Sequence, residues 1–227
     1  MYNNMYGGRQ SWVDKLERRF GHLAIPNLML YVASTMVVFY LFDTVQRGFS
    51  IIDVTALYPA AVLRGQVWRL VTFIFTPPGG TSLTMLLVIY FYYSIGQTLE
   101  RYWGSFRFNL YYLCGMVGAI LAAFVAGSGT NTYLNLSLFL AVATLFPDME
   151  VLLFFIIPIK LKYLAYLDLA LFGIAILLGN NTLRAAALLS LMNYFLFFGF
   201  DFIKGAKREF ENRRRQQAFR DNQNNWR

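Results

Sequence analysis

Between residues 25 and 203 the chain is a succession of apolar runs of bilayer-crossing length, interrupted by short breaks rich in Gly, Pro, Asn and charge. A helix needs about 20 apolar residues to cross the hydrocarbon core. In lipid, each segment must satisfy its own backbone polar groups, which selects helices. The runs read as spans at about 25–42, 83–99, 107–126, 132–146, 161–178 and 183–203. The fold class predicted is therefore an all-α membrane protein, a bundle of six transmembrane helices. Composition agrees, since 57% hydrophobic and 14% charged residues over 227 positions exclude an ordinary soluble domain.

Three parts are expected: a cytoplasmic N-terminus over 1–24, the membrane domain over 25–203 and a basic tail over 204–227. The first eight residues read as disordered. Trp12, Leu16 and Phe20 then recur every fourth position with Lys15, Arg18 and Arg19 between them, the pattern of an interfacial amphipathic helix. Residues 43–67 mix Ile51, Ile52, Val54 and Leu57 with polar groups and Pro59, which predicts a loop partly embedded in the membrane. In the third span Gly115, Ala119 and Ala123 form one stripe and Gly118, Ala122 and Ala126 another, spacing that lets helices approach closely in lipid. The fourth span is short and carries Asn135 and Ser137, so it is expected at the centre of the bundle, surrounded by protein. Residues 151–159 are apolar, broken by Pro158 and too short to cross. Cys114 stands alone in an apolar run and reads as a packing residue.

The net charge of +8 gathers at the chain ends and in short loops, which fits membrane orientation better than a nucleic-acid groove. With six spans, sixteen Lys and Arg residues fall on the side of the termini and four on the other. The positive-inside rule then makes both termini cytoplasmic, although the internal loops by themselves are balanced. No cleavable leader is expected, because no small-x-small site follows the first apolar run.

The stretch around the second span is the densest in pattern. Trp68-Arg69 stands at its mouth, and Leu99-Glu100-Arg101-Tyr102-Trp103-Gly104 closes it before Arg107-Phe108 starts the next. An indole at headgroup level and a guanidinium bonded to phosphate or loop carbonyls suit such a mouth, and Glu100 is expected to pair with Arg101 or Arg107 or to cap the next helix. Trp-Arg before a span and Leu-Glu after it, then a glycine, resembles the rhomboid superfamily, bacterial rhomboid-like and derlin-like pseudoproteases included. The resemblance extends from about Trp68 to Phe202 and implies a rhomboid-like bundle with the embedded first loop, in which Trp68, Arg69, Glu100 and Gly104 are the motif residues.

A rhomboid protease would place a serine nucleophile early in the fourth span, usually in Gly-x-Ser-Gly, and a histidine base in the sixth. Here the one histidine, His22, precedes the first span. The matching positions hold Asn135 and Asn193, and the second span offers only Thr84 and Val88 where oxyanion-stabilising groups belong. Ser128, in Ala126-Gly127-Ser128-Gly129, reads as a turn serine between spans. No catalytic residue, metal ligand or cofactor is assigned. The polar residues inside the spans, Asn135, Ser137, Asp168 and Asn193, are the candidate client contacts. A charged Asp168 would cost about 2.5–3.5 kcal/mol at a helix centre, so it requires a proton, a partner such as Tyr166 or a neighbouring helix, or a wet groove. Interhelical hydrogen bonds of about 0.6–2 kcal/mol would equally explain the amides and the serine. Arg213, Arg214 and Arg215 in the tail read as a lipid-binding cluster, at about 1 kcal/mol per basic residue.

The reading is a catalytically inactive rhomboid-like protein of the bacterial cytoplasmic membrane that binds transmembrane clients or perturbs the bilayer, as in membrane-protein quality control. Its expected partners are membrane lipids and client transmembrane segments, and nucleic acid is not among them. A divergent intramembrane serine protease using Ser128 or Ser137, and a structural subunit of a membrane complex, are the alternatives.

Overall fold

The computed structural model describes residues 12–45, 50–79, 82–153, 157–181 and 183–198. The tail with Arg213, Arg214 and Arg215, the first eleven residues and the end of the sixth apolar run lie outside them.

The chain opens with α1 (Trp12–Phe20) and a 3-10 turn over Gly21–Leu23, and then enters α2 (Leu28–Val45). Three short helices follow, α3 (Ile51–Thr55), α4 (Pro59–Leu63) and α5 (Arg69–Thr72). The long helices α6 (Ser82–Trp103) and α7 (Ser105–Ala126), the shorter α8 (Thr132–Leu145) and then α9 (Leu161–Leu178) form the body. A last apolar helix, α10, covers Leu183–Phe198. Three of these, α2, α7 and α9, are long and apolar enough to cross a membrane by length and composition. In α6 the polar end Gln97-Thr98-Leu99-Glu100-Arg101 belongs to the helix, which runs a turn beyond the predicted span.

The residues on these helices that face outward are themselves apolar: Leu30, Val38 and Leu41 on α2, Leu167, Ile174 and Leu178 on α9. A helix apolar both inside and outside has lipid as its solvent. The core lies around α6, which packs on α2, α7 and α8. As its polar residues predicted, α8 is surrounded by protein, with every residue from Ser137 to Ala143 buried. Its 14 residues span only about 21 Å, short of the roughly 30 Å of hydrocarbon.

One element departs from the all-helical expectation. Residues around Pro158 form an antiparallel ribbon, β1 (Glu150–Leu153) with β2 (Ile157–Lys160), in which Glu150 faces Lys160 and Leu152 faces Pro158. The branched residues Val151, Ile157 and Ile159 suit a pleated strand better than a helix broken by proline. A two-stranded ribbon is marginal alone. Leu161 N donating to Met149 O (2.9 Å) and Lys162 N donating to Pro147 O (3.1 Å) brace its base against α9.

Candidate functional site

The segment before α6 is an anchored structure built around Arg69. Ser50 caps α3 by accepting from Asp53 N (3.4 Å), and Pro59 opens α4 at a first-turn position where its missing N–H costs nothing. The C-terminal half of α3 and its cap turn carbonyls toward Arg69, which is 8% exposed. Its Nη1 donates to Asp53 O and to Ala56 O, both at 2.7 Å, and its Nε donates to Gln66 Oε1 at 2.7 Å. The Tyr58 ring lies 5.7 Å from the guanidinium. Trp68 donates from Nε1 to Val54 O (3.4 Å), while its ring stays about half exposed. Arg69 therefore takes loop carbonyls, the second of the two kinds of partner expected for it.

The same loop is fastened over the start of α8. Asn131 Nδ2 donates to Ile74 O (3.1 Å) and Thr76 O (2.9 Å), and Gly129 N donates to Leu57 O (2.9 Å). A Cβ on Gly129 would meet Ala123 at 2.7 Å and Leu57 at 2.8 Å, so the glycine next to Ser128 serves a close approach of two backbones. Ser128 itself is half-buried in the link between α7 and α8.

At the opposite end of α6, Glu100 departs from expectation. It is buried, and its Oε1 accepts from Asn27 N (2.7 Å) and from Ser105 Oγ (2.7 Å). Neither Arg101 nor Arg107 pairs with it. Arg107 instead donates from Nε to Glu17 Oε2 (3.0 Å), tying α1 to α7. The physical reason is the turn: Gly104 takes φ 85°, which brings Ser105 at the first turn of α7 back to Glu100. Gln97 Nε2 donating to Asn27 Oδ1 (3.0 Å) and Asn109 Nδ2 donating to Ile25 O (3.0 Å) complete a latch that joins the entry of α2 to the α6–α7 turn. The residue that sequence reading missed is Asn27, whose φ of 55° presents its N–H to Glu100.

Inside the bundle, the candidate polar residues do not form one cluster. Ser137 and Asn193 meet around Tyr111. The Tyr111 hydroxyl donates to Ser137 O (2.9 Å), Asn193 Nδ2 donates to Tyr111 O (3.4 Å), and Ser137 Oγ donates to Leu134 O (2.7 Å). A hydrogen bond of 2.7 Å between Thr144 and Tyr194 hydroxyls adds a second link between α8 and α10. Asn135 is 1% exposed, yet neither of its side-chain polar atoms has a partner among the described residues. The same is true of both Asp168 oxygens, with that residue 3% exposed. Tyr166 is exposed on the outer face of α9 and cannot be the partner of Asp168.

Among the described residues, no hydrogen bond joins a serine hydroxyl to a histidine. His22 is exposed in the 3-10 turn before α2, Thr84 is exposed and Val88 is half-buried. Among the described residues, no three His, Cys, Asp or Glu side chains gather in a group that could hold a metal.

Apolar helices with apolar outer faces, a bundle centred on a short polar-bearing α8 and a loop anchored by Trp68-Arg69 define an integral membrane protein. Residues 28–204 match the family described as "Eukaryotic integral membrane protein (DUF1751)", and the chain belongs to that family. Over 130 residues it is also 32% identical to human "Rhomboid-related protein 3", a match covering 51% of this chain and 32% of that protein. The chain thus spans about a third of the length of this relative. Because the family is eukaryotic, the bacterial membrane expected from sequence gives way to a eukaryotic one.

Proposed function

We propose that this protein is a rhomboid-like pseudoprotease that binds transmembrane segments of client membrane proteins, in the manner of a quality-control factor. The reading is carried by the replacement that the rhomboid resemblance implies for both members of the catalytic pair. The positions that the resemblance matches to nucleophile and base hold Asn135 and Asn193, both buried, and the one histidine of the sequence, His22, stands in the 3-10 turn before α2. An amide can neither take a proton from a serine nor attack a carbonyl. What remains is a membrane-embedded interior with polar groups that have no catalytic task.

In this reading α2, α6, α7, α8, α9 and α10 are the six spans, both termini are cytoplasmic, and the basic tail with Arg213, Arg214 and Arg215 lies against anionic lipid. The 14-residue α8, shorter than the hydrocarbon core, supports a local effect on the membrane as well. The test is direct. Purified protein in bilayers is incubated with rhomboid-type transmembrane substrates and with a serine-reactive probe, and neither cleavage nor labelling is expected. Labelling that disappears in Ser128→Ala or Ser137→Ala would establish a divergent protease instead.

A further inference from the structure

We propose that α1 carries a site for anionic phospholipid headgroups, formed by Lys15, Arg18 and Arg19 on the face of the helix turned away from the bundle. Client binding plays no part in it, and the site is separate from the basic tail.

The helix is fixed to the end of α7. Val13 is buried, Leu16 and Glu17 are half-buried, and Arg107 Nε donates to Glu17 Oε2 (3.0 Å). Positions three and four apart share one side of a helix, so this stripe is the one that meets α7. Lys15, Arg18 and Arg19 stand on the opposite side, and all three are exposed. The Arg19 guanidinium lies 5.5 Å from the Phe20 ring, itself 40% exposed, which keeps that charge beside an apolar surface. Depth is set by α7 as well. Arg107 and Asn109, which holds Ile25 O at 3.0 Å, both lie in the first five residues of α7, within about 6 Å of its start. Since α2 and α7 are long and apolar enough to cross the membrane, α1 and the entry of α2 lie at the level of the headgroups.

Charge and apolar surface together select the ligand. Arg107 neutralises Glu17, and Asp14 offsets one of the three exposed cations, so α1 keeps an excess of positive charge. Leu23 and Ile25 follow directly, 64% and 50% exposed, as an apolar foot beside the cluster. An acidic phospholipid matches both parts, with its phosphate at the cations and its glycerol and upper chain at the foot. A free anion would meet the cations alone and leave the foot in water. Because the inward stripe of α1 is occupied by protein, the attraction to lipid is chiefly electrostatic, and it is sensitive to headgroup charge and to salt.

The test is hydrogen–deuterium exchange of the full-length protein in nanodiscs of phosphatidylcholine alone or mixed with phosphatidylserine. Amides of α1 are expected to exchange on the order of tenfold more slowly with phosphatidylserine present. The difference should disappear at about 1 M salt, where screening acts within about 3 Å. A variant combining Lys15→Gln, Arg18→Gln and Arg19→Gln should lose the difference, with exchange of α2 and α7 in phosphatidylcholine as in the parent. A variant combining Arg213→Gln, Arg214→Gln and Arg215→Gln should keep it. Inorganic phosphate added to phosphatidylcholine discs should protect nothing. Equal exchange of α1 in the two lipids, or protection that survives salt, overturns the site, and both are read on the parent even if the α1 variant does not fold. Loss of the difference in the tail variant overturns it too, and protection by inorganic phosphate would assign the cations to a free anion instead.

Discussion

Arg69 shows how one residue can fix a segment. Its guanidinium closes on two carbonyls from the ends of α3 and on the amide of Gln66, at 2.7 Å each, while it is almost fully buried. Charge-assisted bonds of this kind contribute about 1.5–3 kcal/mol apiece, and a carbonyl left bare costs more than one never formed. Arg69→Ala is therefore expected to destabilise the protein by about 3 kcal/mol, read as a loss of thermal stability in detergent. Arg64, whose side chain is exposed, should be replaceable by Ala without measurable effect. Lysine is no substitute, because a single ammonium cannot reproduce the planar fork that reaches both carbonyls and Gln66 at once. Equal losses in Arg69→Ala and Arg64→Ala would show that the loop is held by something other than this fork.

Between elements, close approach depends on glycine. A Cβ built on Gly96 of α6 would run into the side chain of Met29, which is fully buried on α2. Gly96→Ala must push these two helices apart, at about 1–3 kcal/mol for an overpacked core, and Met29→Ala on the same background should recover part of the loss. Gly115 of α7 has the same role against Leu134, with Asn193 Nδ2 at 3.0 Å. Beside the ribbon, an exposed ion pair adds to the backbone bonds at its base. Asp148 accepts from Lys162 Nζ at 2.9 Å, and this hydrogen bond and charge hold the Asp148 carboxyl below the usual carboxylate range. A depressed folded-state pKa gives stability that is present above the ordinary value, about 4, and is lost as pH falls through the folded one. The stability difference between the parent and Lys162→Ala should accordingly be visible at neutral pH and vanish in acid. A difference independent of pH would point to packing of the lysine stem.

For the whole molecule, the arrangement of apolar surface makes the bilayer part of the fold. Outward leucines and isoleucines on α2 and α9 have no protein to cover them, and α8 is buried because other helices stand between it and lipid. Orientation is then decided by charge at the ends. Reporters placed before Trp12 and after Arg227 should report the same, cytoplasmic, side of the membrane. The sixteen-to-four division of Lys and Arg motivates this. An external reporter at Arg227 with a cytoplasmic one at Trp12 would mean an odd number of crossings.

Sequence alone determined the membrane environment and the order of the long apolar helices, because hydropathy is a local property that lipid converts directly into helices, while the short α3 and α4 inside the predicted loop were not marked by it. The predicted bounds 161–178 coincide with α9, and those of α7 and α8 differ by one or two residues. It also marked Arg69, Glu100 and Gly104 as unusual, since charge and glycine at the ends of an apolar run are visible without a fold. Which groups they bind was decided only in three dimensions. Glu100 meets Asn27, 73 positions away, rather than its neighbouring arginines, because a positive φ at Asn27 and another at Gly104 bring donors to it that no spacing announces. The ribbon around Pro158 was hidden for a related reason: short apolar runs carry no period, and strand pairing is settled by the partner. The gathering of Ser137 and Asn193 on Tyr111, with Asp168 left apart from them, likewise depends on helix rotation, which packing against neighbours fixes and a one-dimensional pattern leaves open.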